Sequence, residues 1–393
     1  MQKEQISQEV EKISAELLKL SHQIHDNPEL GGEERQAVLW QKELLEQEGF
    51  SFETPFCGMD TAYKAVFKGE GTGPTIAFLA EYDALAGLGH GCGHNLIAAG
   101  SVGAAIALAK TLGKAAPEIR LYGTPAEETW GGKIPMVEQG AFSDVDFAMM
   151  FHPAVENIIS RPSRACVGVD AVFHGKSAHS AAPETGINAL TALVGLFTRM
   201  FTMTKEGWPE GNRANGIITE GGNASNVITD TAKANFTLRA WTLKDLEIII
   251  ADFKRMAKEA ADEIGATAEL SFEAPFAERY PNRTMGQIFA ANMKPLGEIM
   301  NLPAPDAMTG SSDIGNVSLV VPTIHEYLKI AEPGINGHSV EYREAAASER
   351  ADQVVLLAAK GLAMTGYDLI TNQELRDNAR KEFEETVPAE YRK

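Results

Sequence analysis

The first segment, EQISQEVEKISAELLKLSHQIH, places Ile6, Val10, Ile13, Leu17 and Leu20 at helical spacing. A second helical pattern, ERQAVLWQKELLEQEGF, ends at Gly49. PTIAFLAEYDAL reads as a short apolar strand that ends in acidic residues, and the small-residue run NLIAAGSVGAAIALAKTLG reads as a helix. EIRLYGTPAEE is another strand ending in carboxylates. A helix near KIPMVEQGAF follows, then the strand VDFAMMFHP, which ends in a histidine. Strands that alternate with helices predict an α/β fold with a mainly parallel, doubly wound sheet. Ligands of such sheets bind outside the carboxyl ends of the strands, where the polar clusters of this chain fall.

The pattern changes near residue 165. ACVGVDAVFHG and NVITDTAKANFTLRAW alternate as strands, and ATAELSFE closes the block as a third. GINALTALVGLFTRMFTM and LKDLEIIIADFKRMAKEAADEIG are helical. From about Asn282 the helix–strand alternation resumes. The expected organisation is a larger domain, residues 1–163 and 282–393, interrupted by a smaller α+β domain at 164–281. NQELRDNARKEFEE near the C-terminus reads as a solvated amphipathic helix.

The 393 residues are 44% hydrophobic and 23% charged, which is ordinary globular composition with room for two cores. The net charge of −19 argues against nucleic acid as a partner. Three cysteines, Cys57, Cys92 and Cys166, make no disulfide framework, and a reducing, cytoplasmic setting is the expectation. MQKEQISQEVEKIS has no apolar signal region, and no uninterrupted apolar run of about 18 residues predicts a membrane span.

Four clusters carry candidate chemistry. GHGCGHN sets Cys92 and His94 about one glycine; thiolate and imidazole suit zinc and similar ions. Read alone, it is more often a buried thiol beside a hydrogen-bonded histidine. Glu127 and Glu128 are adjacent in TPAEETWGG, so they point in different directions, one toward a metal and one toward substrate. His152 ends a buried-looking strand, and His338 lies on a glycine-flanked loop in GINGHSVEYREA. Singly, each is more often a core or surface residue. Together they supply donors for more than one metal ion plus a spare carboxylate, the make-up of a two-metal hydrolytic site.

In order, the motifs AEYDAL, GHGCGHN, TPAEETWGG, FHP, GKSAHSAAPETGINAL, NVITDTA, TGSSDIGNVS and GHSVEYREA resemble the aminoacylase/carboxypeptidase family of co-catalytic metallopeptidases over almost the whole chain. The match is nearest its amidohydrolase branch, which includes hydrolases of indole-acetyl-amino acids, aminobenzoyl-glutamate and certain dipeptides. The resemblance implies two divalent ions per subunit, zinc or manganese, bridged by Cys92 and completed by His94, Glu128, His152 and His338. It implies Glu127 as general base, and Asp83 as an outer residue that orients a ligand. His179 would bind substrate or polarise its carbonyl; in dimeric members this histidine reaches the partner's active site. Asn226 and Arg239 would contact the substrate's carboxylate end, with Ser311 and Asp313 near the pocket. The implied substrate is a small N-acyl amino acid or dipeptide, the implied assembly a homodimer, and the inserted domain its lid and dimerisation unit. His90 and Asn95 stand where the indole-acetyl branch usually has Met and Asp, and Lys133 follows the Gly-Gly turn where a small residue is usual. Two other readings stay open: Cys92 as a nucleophile with His90 or His94 as base, and a non-catalytic relative that only binds a ligand.

Overall fold

The structure is a computed structural model and describes residues 2–304 and 310–392, so Thr309 of the TGSSDIGNVS motif lies outside the described residues. The N-terminal pattern folds as two helices, α1 (Gln2–Lys12) and α2 (Ser14–Asp26), because the backbone leaves helical geometry at Ile13. After α3 (Arg35–Gln47) come β1 (Ser51–Glu53), β2 (Tyr63–Lys68) and β3 (Ile76–Ala80). The helix α4 (His94–Leu112) leads to β4 (Glu118–Gly123), α5 (Lys133–Glu138) and β5 (Phe147–Ala154).

Compact units divide at 162/163 and 278/279, one and three residues from the expected boundaries of 163/164 and 281/282. The inserted unit, Ser163–Glu278, holds β6 (Ala165–His174), β7 (Ala178–His179), α6 (Ala189–Thr202), β8 (Arg213–Glu220), β9 (Val227–Ile228), β10 (Thr231–Ala240), α7 (Leu243–Asp262) and β11 (Thr267–Phe272). Its four-stranded antiparallel sheet runs β11-β6-β10-β8. Alternate residues of β6 and β10, such as Val167, Val169, Leu238 and Phe236, are buried with the apolar stripes of α6 and α7. That period of two is the alternation read from the sequence. A separate two-stranded ladder pairs β7 with β9, with His179 opposite Val227.

The chain re-enters the larger unit with α8 (Arg283–Met293), α9 (Ile314–Ser318), β12 (Thr323–Lys329), α10 (Val340–Ala345), α11 (Glu349–Thr371) and α12 (Gln373–Thr386). The six-stranded sheet has the order β1-β2-β4-β3-β5-β12. The pairs β4/β3, β3/β5 and β5/β12 are parallel, and β1 and β2 add an antiparallel edge. The sheet is therefore the mainly parallel one expected.

At the centre of the larger unit, α4 buries sixteen of its nineteen residues. Its small residues let neighbours come close: a Cβ at Gly100 would stand 2.5 Å from the Phe151 ring, and one at Gly103 2.6 Å from Leu17 and 2.9 Å from Ala359 of α11. By length and composition, the segments His94–Ala115 and Glu349–Thr371 could cross a membrane, although neither is an uninterrupted apolar run. However, 78% and 61% of their most apolar stretches are buried inside this protein, which is the burial of core helices.

Candidate metal centre

The parallel strands bring their carboxyl ends side by side. β3 delivers Glu81 and Asp83, β4 delivers Glu127 and Glu128, and β5 carries His152 next to its end. Cys92 and His94 come from the loop that starts α4. Gly93 between them takes φ +80°, which glycine adopts without strain, and a Cβ there would stand 2.7 Å from Pro153. Two non-glycine residues beside the site share that left-handed region: Ala126, before the glutamate pair, at φ +61°, and His338 at φ +62°. The Ala126 N–H donates to buried Glu34 at 2.8 Å, and the His338 N–H donates to the Gly91 carbonyl at 2.9 Å.

Donor atoms of Cys92, His94 and His152 lie within 4.8 Å of one another, and so do those of Cys92, Glu128 and His338. Cys92 belongs to both groups. Its Sγ is 3.4 Å from His152 Nε2, while Glu128 Oε1 is 3.8 Å from His94 Nε2 and 3.4 Å from His338 Nε2. All five expected ligands therefore converge. Glu127 adjoins them, in a group with His94 and Glu128.

The surrounding bonds select the ligating atoms. His94 Nδ1 bonds Asp83 Oδ1 at 2.8 Å and His152 Nδ1 bonds the Pro153 carbonyl at 2.6 Å, which leaves both Nε2 atoms facing the cluster. Asp83 also accepts from the Glu128 N–H at 2.9 Å through its other oxygen, so one carboxylate fixes two of the five donors. His94 Nε2 and Glu128 Oε1 are buried with no hydrogen-bond partner among the described residues, as expected of atoms shaped for a cation.

The electrostatics fit the same reading. Burial alone would lower the pKa of His94, but Cys92 and Asp83 outweigh it and hold it well above the usual value. Surroundings that favour a proton there favour a divalent cation. Burial and the charge of His94 push His152 down to about 4, a neutral imidazole with a lone pair to give. Burial opposes ionisation of Glu128, yet the His338 imidazole at 3.4 Å and the charge of His94 bring it to about 2. Burial, with Glu81 and Glu128 close by, raises Glu127 well above the carboxylate range. A cysteine sulfur that a bound ion would deprotonate, three imidazoles and carboxylates make a donor set suited to zinc-like ions.

The Cys92 thiol is pushed up by burial, the opposite of what an attacking cysteine needs. His90, the other base considered for that role, is buried and held near 3 by burial and by His94.

The remaining expected residues separate. Asp313 lies beside the centre, in a group with Glu81 and Glu127, and is fully buried, accepting from the Lys133 ammonium at 2.7 Å and from the Lys133 N–H at 2.9 Å. Ser311, two residues earlier, is partly exposed. In the inserted unit His179 and Asn226 are exposed and adjacent, the Ser180 N–H donating to the Asn226 carbonyl at 2.9 Å. Arg239 lies near the other end of β10, opposite Cys166 and Arg213, roughly 25 Å along the strand from that ladder.

Several participants escaped the sequence reading. Glu81 Oε2 lies 3.4 Å from His94 Nε2, and its other oxygen holds Lys133. The His325 ring is 5.4 Å from that of His152, and Arg279 donates to its Nδ1. Glu81 stands in the same strand-end motif as Asp83, which was the available signal.

The peptidase dimerisation domain family (M20_dimer) matches residues 163–265. The Xaa-Arg dipeptidase of Mus musculus is 37% identical over 398 residues, covering 97% of this chain and 90% of that protein. One of the subunits of the p-aminobenzoyl-glutamate hydrolase of Escherichia coli (strain K12) is 28% identical over 445 residues, covering 94% of this chain and 92% of that protein. A solved dinuclear metal-binding peptidase of the M20 family from Bacillus subtilis shares the fold, with a TM-score of 0.66 at 19% identity over 92% of this chain and all of that one. The converging donors and these likenesses agree: the chain belongs to the M20 peptidase family and is a hydrolase.

Proposed function

We propose that this protein hydrolyses the amide bond of a dipeptide or N-acyl amino acid at two divalent ions held by its own side chains. The observation that carries the reading is Cys92, the shared member of two three-donor groups. One ion would take Cys92, His94 and His152, and the other Cys92, Glu128 and His338. Softness of the thiolate favours zinc, and manganese is the alternative. Ions bound there supply a water whose pKa falls from 15.7 to about 7.

Glu127 is the base in this reading: it adjoins both groups, and its raised pKa suits a carboxyl that takes a proton and passes it to the leaving nitrogen. Asp83 holds the His94 and Glu128 donors in place. Asn226 and Arg239 recognise the substrate's carboxylate end, and His179 polarises its carbonyl. A dipeptide spans at most about 7 Å, too short to touch both the His179 ladder and Arg239 of one inserted unit. That separation supports a homodimer in which the two features serve different active sites. Glu127→Gln tests the base: metal content should stay intact while most turnover is lost. Near-normal turnover would remove Glu127 from the role.

A further inference from the structure

Lys133 is wholly buried at the first position of α5. Its ammonium lies 2.5 Å from Glu81 Oε1 and 2.7 Å from Asp313 Oδ1. Glu81, Glu127 and Asp313 offer oxygens within 4.8 Å of one another, the spacing of a cation site. Three carboxylates so close, Glu81 and Asp313 wholly buried and Glu127 half-buried, call for positive charge, and oxygen donors of this kind suit hard divalent ions. Here the charge comes from a side chain. The nest adjoins the Cys92 centre through two residues: Glu127, which also groups with His94 and Glu128, and Glu81, 3.4 Å from His94 Nε2.

We propose that Lys133 is a positioning residue whose ammonium fills a cation place otherwise open to a metal ion. In doing so it keeps Glu127 out of metal coordination and available as the base. The inference rests on the reading of Glu127 just given. It differs from a purely structural ion pair in one respect: removing the ammonium changes how many ions the protein binds.

The test is to count manganese per chain, by elemental analysis after equilibrium dialysis, in the wild type, Lys133→Ala, Lys133→Arg and the double variant Lys133→Ala/Asp313→Asn. Lys133→Ala is expected to bind one ion more than wild type, with kcat falling at least tenfold and KM changing less. Lys133→Arg keeps a cation in the nest and should bind no extra ion. The double variant should lose the extra ion, because one of its ligands is gone. A folded Lys133→Ala protein with the wild-type count overturns the inference. Should Lys133→Ala fail to fold without metal, refolding it in manganese decides: recovery with the extra ion supports the inference, and failure while Lys133→Arg folds overturns it. A wild-type count below two would remove the two-ion reading. The inference would still be judged by the difference of one ion between the proteins.

Discussion

Asp83→Asn exchanges one carboxylate oxygen for an amide nitrogen at nearly constant volume. In the wild type, both oxygens accept: one from His94 Nδ1 at 2.8 Å, the other from the Glu128 N–H at 2.9 Å. Asparagine can accept at only one of these places. If its oxygen faces Glu128, its NH2 donates to His94 Nδ1 and drives the ring proton onto Nε2, where it blocks the atom meant for metal. Loss of such an outer partner typically costs 10–100-fold in metal affinity, about 1.4–2.8 kcal/mol. If the oxygen faces His94 instead, the part-buried Glu128 N–H is left without its acceptor, at a cost of about 1 kcal/mol to the fold. The two outcomes separate in two assays: zinc competition against a chromophoric chelator at fixed pH, and denaturant unfolding of the metal-stripped protein. One of them must change. Affinity within threefold of wild type, together with stability within about 0.5 kcal/mol, would refute the claim that Asp83 sets the donors.

Three further outcomes are expected. Gly103→Val would drive a side chain into Leu17 and Ala359, and overpacking of this kind typically costs about 1–3 kcal/mol; thermal unfolding measures it. Burial raises Glu326 to about 8 from the ordinary 4.5, so the folded chain holds a proton that the unfolded chain releases. Stability should then fall by up to about 1.4 kcal/mol per pH unit from 4.5 to about 8. Glu326→Gln should remove that slope, gaining more in Tm at pH 8.5 than at pH 5. Finally, exhaustive chelation should abolish hydrolysis and added zinc or manganese should restore it, whereas activity that survives chelation would favour a Cys92 nucleophile.

Much of the larger unit was legible because its strands are fully buried runs closed by polar residues. Ile76–Ala80 is buried at every position and ends directly in Glu81. The five converging donors showed only together: Glu128 and His152 at apolar strand ends, Cys92 and His94 on the glycine loop before α4, and His338 on a second glycine-flanked loop. Lys133 and Asp313 were noticed in the sequence, but not as partners: 180 positions separate them, and only the packing of α5 beside the start of α9 joins them. β8 was missed for a different reason. As the edge strand of its sheet it leaves Ile217 62% and Ile218 45% exposed, so its sequence carries no clear alternation. The break at Ile13 was hidden because the apolar spacing runs through it, with α1 and α2 both facing the same core.

The central claim is that one sulfur serves two ions. Anomalous diffraction from crystals of the zinc-loaded protein tests it directly. Two peaks, each about 2.3 Å from Cys92 Sγ, one beside His94 and His152 and the other beside Glu128 and His338, are the predicted result. A single peak, or a pair remote from Cys92, would contradict it.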